Sequence, residues 1–362
     1  MSEHAFLSTR KGLFELTSNG GAWEWGAVHF LGEPVSITLP DARDGTLYAA
    51  LNLGHFGVKL HRKDAGSDAW TEIAAPAYPP KPEDSTDTVE WTNKLIWSLE
   101  AGGADEPGVL WAGTLPGGLF KSSDRGGSWQ LVRSLWDVPE RSNWFGGGYD
   151  VPGIHSISVD PRNSKHLLVG VSCGGAWRTV DGGESWTVSS TGMRADYMPP
   201  ERQGDPIIQD PHRVAAAAAA PDTLWTQHHC GVFMSRDRGR QWTAVEAARP
   251  SGFGFAVAVH PGDPDTAWFV PAVKDEMRIP VDGNVVVSRT RDGGRTFEVL
   301  REGLPQGHAY DLTYRHGLDV DGSGERLAFG STTGSLWVSE DQGDSWITVS
   351  AHLPPIHAVR FA

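Results

Sequence analysis

SSDRGGSW, residues 122–129, has the form Ser/Thr-x-Asp-x-Gly-x-x-aromatic, and the chain returns to that form four more times. TVDGGESW (179–186), SRDRGRQW (235–242), TRDGGRTF (290–297) and SEDQGDSW (339–346) carry its aspartate at Asp181, Asp237, Asp292 and Asp341. From Asp124 onward these aspartates follow one another at intervals of 49 to 57 residues. Two degenerate copies come first: KDAGSDAW, with Asp64 and one extra residue before Trp70, and TSNGGAW, with Asn19 in place of the aspartate. Seven copies in 362 residues give about 52 residues per unit, the size of a four-stranded propeller blade.

Working outward from each copy gives the same four strands. In the fourth unit HSISVDP (155–161) reads as the inner strand, HLLVGVS (166–172) and GAWRTV (175–180) as the next two, and SWTVSS (185–190) as the outer strand. The sixth unit repeats this with FGFAVAVHP, TAWFVPA, NVVVSRT and TFEVLRE. Ala215 to Ala220 would be helix by propensity, but its place in the repeat makes it an inner strand. The first unit holds only three strands, and IHAVRFA (356–362) is left over at the other end. The expectation is an all-β, seven-bladed β-propeller with four-stranded antiparallel blades, residues 1–362 forming one domain, closed when the C-terminal strand fills blade one and leaves no open edge.

Composition agrees and removes several functions. Forty-four glycines, 24 prolines and 16 tryptophans suit short strands joined by many turns. Thirty-one basic against 45 acidic residues give a net charge of −14, which opposes binding to nucleic acid or to an anionic membrane surface. Two cysteines, Cys173 and Cys230, make no disulfide framework. The first residues, MSEHAFLSTRKG, hold no apolar signal core and no apolar run approaches a membrane span, so a cytoplasmic setting is expected.

The repeated motif resembles the Asp-box, or BNR repeat, of bacterial sialidases and related propellers. That resemblance places each box on the turn between the third and fourth strands of a blade. There its hydroxyl and carboxylate bond turn backbone, its glycine takes positive φ, and its aromatic packs between blades. The role is structural. At the level of the repeat the likeness runs through nearly the whole chain. FGGGYD (145–150), QHHCGVF (227–233), KDEMRIPVDG (274–283) and TTGSLWVSEDQGDSW (332–346) resemble stretches of the cytoplasmic single-domain proteins labelled exo-alpha-sialidase or glycosyl hydrolase, BNR repeat. A sialidase site does not carry over. Sialidases are six-bladed and use an early Arg-Ile-Pro, an arginine trio, a Tyr–Glu pair and an aspartate, whereas Arg278-Ile279-Pro280 falls here in the sixth unit without the preceding aromatic. True sialidase activity is not expected.

Chemistry is expected at the other ends of the strands, at the mouth of the central channel. The long segments 74–93, 134–153, 191–211 and 273–283 overhang that face in this reading and carry aromatic and charged residues. Glu90, Asp150, Glu276 and His155 are the acid, base or nucleophile candidates. Trp91, Lys94, Trp144, Tyr149, Tyr197, Lys274 and Arg278 are the candidates for holding a small polar or sugar-like molecule. His155, His212, Gln227 and His228, with Asp210 as an alternative to Gln227, would together hold one divalent metal ion. His228 and His229 are adjacent, so in a strand only one of them looks inward. Two functions follow: a hydrolase or lyase acting at that pocket, with a metal-assisted step among its options, or a non-catalytic platform that docks a partner protein, as in the seven-bladed photosystem II assembly factor.

Overall fold

The computed structural model describes residues 3–362, whose contacts divide into two compact units. One runs from Ser36 to Pro211 and the other joins the described residues up to Val35 with His212–Ala362. Together they hold seven four-stranded antiparallel sheets, the blades of a seven-bladed β-propeller.

The Ser36–Pro211 unit carries three blades. Blade two is Val35–Asp41, Thr46–Asn52, Val58–Lys63 and Thr71–Ile73. Blade three is Leu95–Ala101, Leu110–Leu115, Leu119–Ser122 and Gln130–Leu131, and blade four is Ile154–Val159, Leu167–Val171, Gly175–Thr179 and Thr187–Val188. Alternating side chains from blades three and four meet in one core, in which Trp111, Ile154, Val169 and Trp177 are fully buried. Burial of each such side chain contributes about 1.5–3 kcal/mol.

The other unit carries four blades. Blade five is Pro211–Ala217, Ala220–His228, Gly231–Ser235 and Thr243–Ala244; blade six is Gly254–Val259, Ala267–Pro271, Val287–Thr290 and Glu298–Leu300. Blade seven is Leu318–Val320, Leu327–Gly330, Leu336–Ser339 and Ile347–Ser350. Blade one is Ile356–Phe361 followed by His4–Thr9, Gly12–Asn19 and Ala22–His29. Its two termini therefore share one sheet, with Ala5 opposite Phe361 and Leu7 opposite Val359, as the leftover C-terminal segment implied. Ala5, Leu7, Leu16, Ile356 and Val359 bury that join.

The alanine run behaves differently from expectation. Only Ala215–Ala217 belongs to the inner strand of blade five; Ala218 and Ala219 make the turn, and Ala220 opens the second strand. The Ala219 amide donates to the Pro261 carbonyl, 2.8 Å away. A sheet needs a chain reversal every few residues, and alanine offers too little side chain to resist one.

The boxes lie on third-to-fourth-strand turns. In the box of blade three Ser122 Oγ donates to Asp124 Oδ1 at 2.8 Å and accepts from the Gly126 amide at 2.9 Å. Asp124 also accepts from the Ser128 amide at 2.8 Å and the Ser128 hydroxyl at 2.7 Å. Blades four to seven repeat the hydroxyl–aspartate bond with Thr179, Ser235, Thr290 and Ser339. These bonds favour the charged form, so Asp181 and Asp292 are each pulled down to about 2, by Ser185 and Thr296 first. Glycine is required at the fifth position. Gly294 has φ +84°, and a Cβ there would stand 2.6 Å from Val245 Cγ1 on the preceding blade. The aromatic also ties blades: Trp129 Nε1 donates to the Ala74 carbonyl at 2.9 Å.

Candidate functional site

In the four-blade unit the ends of the strands remote from the boxes bring together a group of rings. His212, second residue of the inner strand of blade five, is buried and stacks on Phe255 at 4.5 Å and 14°. Phe253 meets it edge-on at 5.9 Å, and the His229 ring does so at 5.4 Å. The His212 Nδ1 bonds the Gly254 carbonyl at 2.6 Å. A carbonyl only accepts, so Nδ1 carries the proton and Nε2 carries the lone pair. His229 is half-buried, Phe253 stands 5.8 Å from it, and one nitrogen of His229 lies within 4.8 Å of one of His212. Tyr314, one of the more exposed aromatics, packs edge-on to Phe255 at 5.0 Å. The guanidinium groups of Arg278 and Arg315 each lie 5.4 Å from the Phe255 ring. The result is an apolar base of Phe253, Phe255, Ala272 and Leu312 under a polar rim.

His229 reaches this group because of a turn. His228 pairs with Gly231, so His229 and Cys230 are the two loop residues of a hairpin, where strand alternation no longer applies. His228 stays in the strand, fully buried, with its ring 5.2 Å from that of Phe233. Its Nδ1 accepts the Cys230 amide at 3.0 Å. Gln227 is also committed: its amide nitrogen donates to the carbonyls of His228, Gly231 and Gly252, closing the loop. The sequence reading chose His228 from the adjacent pair, whereas it is His229 that meets His212.

Arg278 is half-buried and donates from Nε to Asp275 Oδ1 at 2.9 Å, so this cation is already balanced. Lys274 and Glu276 pair with each other at 3.5 Å on an exposed turn, and Glu276 is 75% exposed. The Glu276 backbone N–H and then Lys274 hold its carboxyl below the usual range. A carboxyl that stays charged is no proton donor, so a general-acid role does not suit Glu276.

The remaining candidates lie in the three-blade unit. His155 is fully buried beside Ser156 Oγ, at 2.9 Å, and its ring and that of the exposed Tyr149 both pack edge-on to Trp97, at 5.5 and 5.1 Å. Asp150 is exposed next to Tyr149. Trp91 belongs to a small loop core: it donates to Asp87 at 2.9 Å and packs on Trp136 at 5.4 Å, while Arg141 bonds the same aspartate at 2.6 Å. Glu90 and Lys94 form an exposed pair at 3.4 Å. Trp144 is buried against Trp177, and the Tyr197 hydroxyl donates to the Ile208 carbonyl at 2.8 Å. Most aromatics of the long loops thus hold the loops themselves. Asp210, also buried, accepts the Cys173 amide at 3.1 Å through Oδ1.

Sequence reasoning passed over His229 as the imidazole partner of His212, together with Phe253, Phe255, Tyr314 and Arg315. The usable signal was FGF at the start of an inner strand and the run TYRH (313–316) just before another. It also missed a polar set formed by half-buried Asp319 with buried Arg360 and His316. Asp319 Oδ2 accepts the Phe361 amide at 2.9 Å, and Arg360 Nη2 lies 3.2 Å from His316 Nδ1. Burial pushes the Asp319 carboxyl up against the opposing pull of Arg360.

Known proteins fit this architecture. Residues 119–132 match the BNR-Asp box repeat family. Over 222 residues the chain is 27% identical to a probable oligoxyloglucan-reducing end-specific xyloglucanase of Neosartorya fischeri, covering 53% of this chain but only 25% of that protein. Among solved structures, an ancestral GH74 enzyme aligns with a TM-score of 0.59 at 17% identity, over 85% of this chain and 36% of the other. YCF48 bound to D1 peptide aligns with a TM-score of 0.55 at 15% identity, over 94% and 90%. The two structural likenesses show the fold alone. The chain is thus a seven-bladed β-propeller in which residues 119–132 match the BNR-Asp box repeat. It spans about a quarter of the xyloglucanase and about a third of the GH74 chain.

Proposed function

We propose that this propeller is an enzyme that binds a small polar or sugar-like molecule over the His212–His229 rings and acts on it by hydrolysis or elimination. The observation that carries the reading is the aromatic base under paired imidazoles: His212 stacked on Phe255, with Phe253 and His229 edge-on and Tyr314 at the rim. Flat apolar rings accept the C–H face of a sugar, while imidazole and guanidinium edges orient its hydroxyl or carboxylate groups. The relative named for xyloglucan cleavage supports a carbohydrate, and a hydrolytic outcome, over other small ligands.

Titration of the protein with neutral and uronic oligosaccharides, followed by calorimetry and by reducing-end release, tests this. Saturable binding that weakens about tenfold in Tyr314→Ala, the loss of one stacking contact, is the expected result. No binding by any sugar would move the assignment to the second reading, a protein-docking platform. Two observations favour that alternative: Glu90 and Glu276 are surface carboxylates already paired with lysines, and the fold is shared with a peptide-bound YCF48.

A further inference from the structure

We infer that a cleft on blade seven, separate from the His212–His229 rings, binds a neutral sugar unit. The cleft has a volume of about 420 Å³ and lies between the 301–317 connection from blade six and the outer half of blade seven. All of its lining residues belong to the four-blade unit. The inference stands whether or not the rings bind a ligand.

Strand periodicity builds one wall. Trp337 on the third strand of blade seven stands opposite Thr348 on the fourth, and Ser335 lies two residues before Trp337, so the three side chains share a face. All three line the cleft. The indole is fixed by stacking on Phe329 at 4.7 Å and 24°. Trp337 is 2% exposed, and its Nε1 meets no acceptor among the described residues. In blade six, by contrast, Trp268 gives its Nε1 proton to the Gln342 carbonyl at 2.8 Å. A buried donor without an acceptor carries a cost that a ligand oxygen removes. The hydroxyls of Ser335 and Thr348 and the ring of His308 also make no hydrogen bond with the described residues.

The connection forms the facing wall, and it is held in place before any ligand arrives. The Gly307 and Ala309 amides both donate to the Gly283 carbonyl, at 3.2 and 3.0 Å, and the Val285 amide donates to the Pro305 carbonyl at 3.1 Å. Between the first two of these bonds His308 is kept at φ +54°, a left-handed conformation that costs a residue other than glycine energy. That strain is borne where an imidazole lines the cleft.

The lining decides the ligand class. Apolar surface from Leu304, Pro305 and Ala309 is set against an indole N–H, two hydroxyls and an imidazole. Such a mixture of donors and acceptors beside apolar surface suits the hydroxyls and C–H face of a sugar. Among the described residues Asp311 is the one carboxylate lining the cleft, and no lysine or arginine does so. An anion would therefore be repelled. A cation gains little, because Asp311 Oδ1 already accepts from the Ser331 hydroxyl at 2.8 Å and from the Thr333 hydroxyl.

The test uses the full-length chain carrying Tyr314→Ala, which weakens the ring site, and ligand-observed NMR titration. The probes are the neutral methyl glycosides of glucose, galactose, mannose and xylose, with methyl glucuronide as the anionic control. At least one neutral glycoside should bind saturably, and about tenfold or more tighter than the glucuronide. Adding Ala351→Trp fills the cleft from an exposed position and should weaken that binding by about tenfold or more. Adding His308→Gly suits the positive φ and keeps the fold, while Trp337→Phe keeps a ring and removes the N–H. Each should weaken binding about three- to tenfold, the worth of one hydrogen bond, with folding checked by melting curves. Absence of saturable binding by every neutral glycoside would overturn the inference. So would glucuronide binding as tight as the neutral sugar, or undiminished affinity in folded Ala351→Trp and His308→Gly. The ring site is judged apart from this, by comparing wild type with Tyr314→Ala alone.

Discussion

One five-residue strand of blade five, Gly231–Ser235, joins two unlike ends. At its start the His229–Cys230 hairpin brings an imidazole to His212 and Phe253. At its close Ser235 begins a box in which the hydroxyl donates to Asp237 at 2.8 Å and accepts from Gly239 at the same distance, while Asp237 accepts from Gln241 at 2.9 Å. Both ends are polar. In the box, the side chains bond turn backbone within a few residues, so their bonding capacity goes into the fold. At the hairpin, two imidazoles from separate segments of blade five meet over rings of blade six, and His212 bonds the Gly254 carbonyl of that neighbouring blade. Local bonding marks structure, and polar groups gathered from distant segments mark a site.

The largest effect should come from removing what both ends depend on. Deleting Ile356 to Ala362 strips blade one of the strand paired with His4–Thr9, and should abolish cooperative unfolding and cause aggregation. A shortened chain that melts as one sharp, monomeric transition would show that the join at blade one is dispensable. Next in size is a change at the box end alone. Gly294→Ala puts a side chain at φ +84° against Val245 and should lower stability by about 1–3 kcal/mol in denaturant unfolding, with sugar affinity unchanged.

The boxes were fully legible in the sequence because their chemistry is local. Ser/Thr, Asp and Gly must stand at fixed offsets for one turn to bond itself, and five exact copies fixed the blade spacing. Blade one was legible for a similar reason, since three strands at one end and a spare strand at the other admit a simple closure. The site was less legible. His228 and His229 are chemically identical in a string of letters, and only the position of a two-residue turn between His228 and Gly231 decides which of them leaves the strand. Trp91 and Trp144 looked like ligand aromatics, yet loops as long as 74–93 and 134–153 need apolar cores of their own, supplied by those rings. The contribution of Phe255 depends on stacking between blades, which no local spacing encodes.

A moderate effect is expected from Asp181→Ala, about 1–2 kcal/mol of stability, again without loss of ligand binding. The same aspartate has a pH signature. Its carboxyl is held at about 2 in the fold, below its unfolded value of about 3.9. Its contribution is therefore complete above that unfolded value and disappears as pH falls through about 2. Melting temperatures of wild type and Asp181→Asn should differ by a constant amount from pH 5 to 7 and converge below about pH 4; a gap that widens in acid would mean the bonds favour the protonated form. The smallest effect belongs to the exposed pair. Glu276→Gln should change stability by no more than about 0.5 kcal/mol and leave sugar affinity intact, while a marked loss of turnover would return this residue to the catalytic set.

The most direct measurement compares the two ends of that one strand. Asp237→Ala and His229→Ala are made singly, and both unfolding free energy and oligosaccharide affinity are measured on each. The account predicts opposite outcomes: Asp237→Ala loses about 1–2 kcal/mol of stability and keeps wild-type affinity, whereas His229→Ala keeps its stability and loses sugar affinity. Loss of sugar binding in a folded Asp237→Ala protein, or undiminished binding in His229→Ala, would contradict the division of labour between the box and the hairpin.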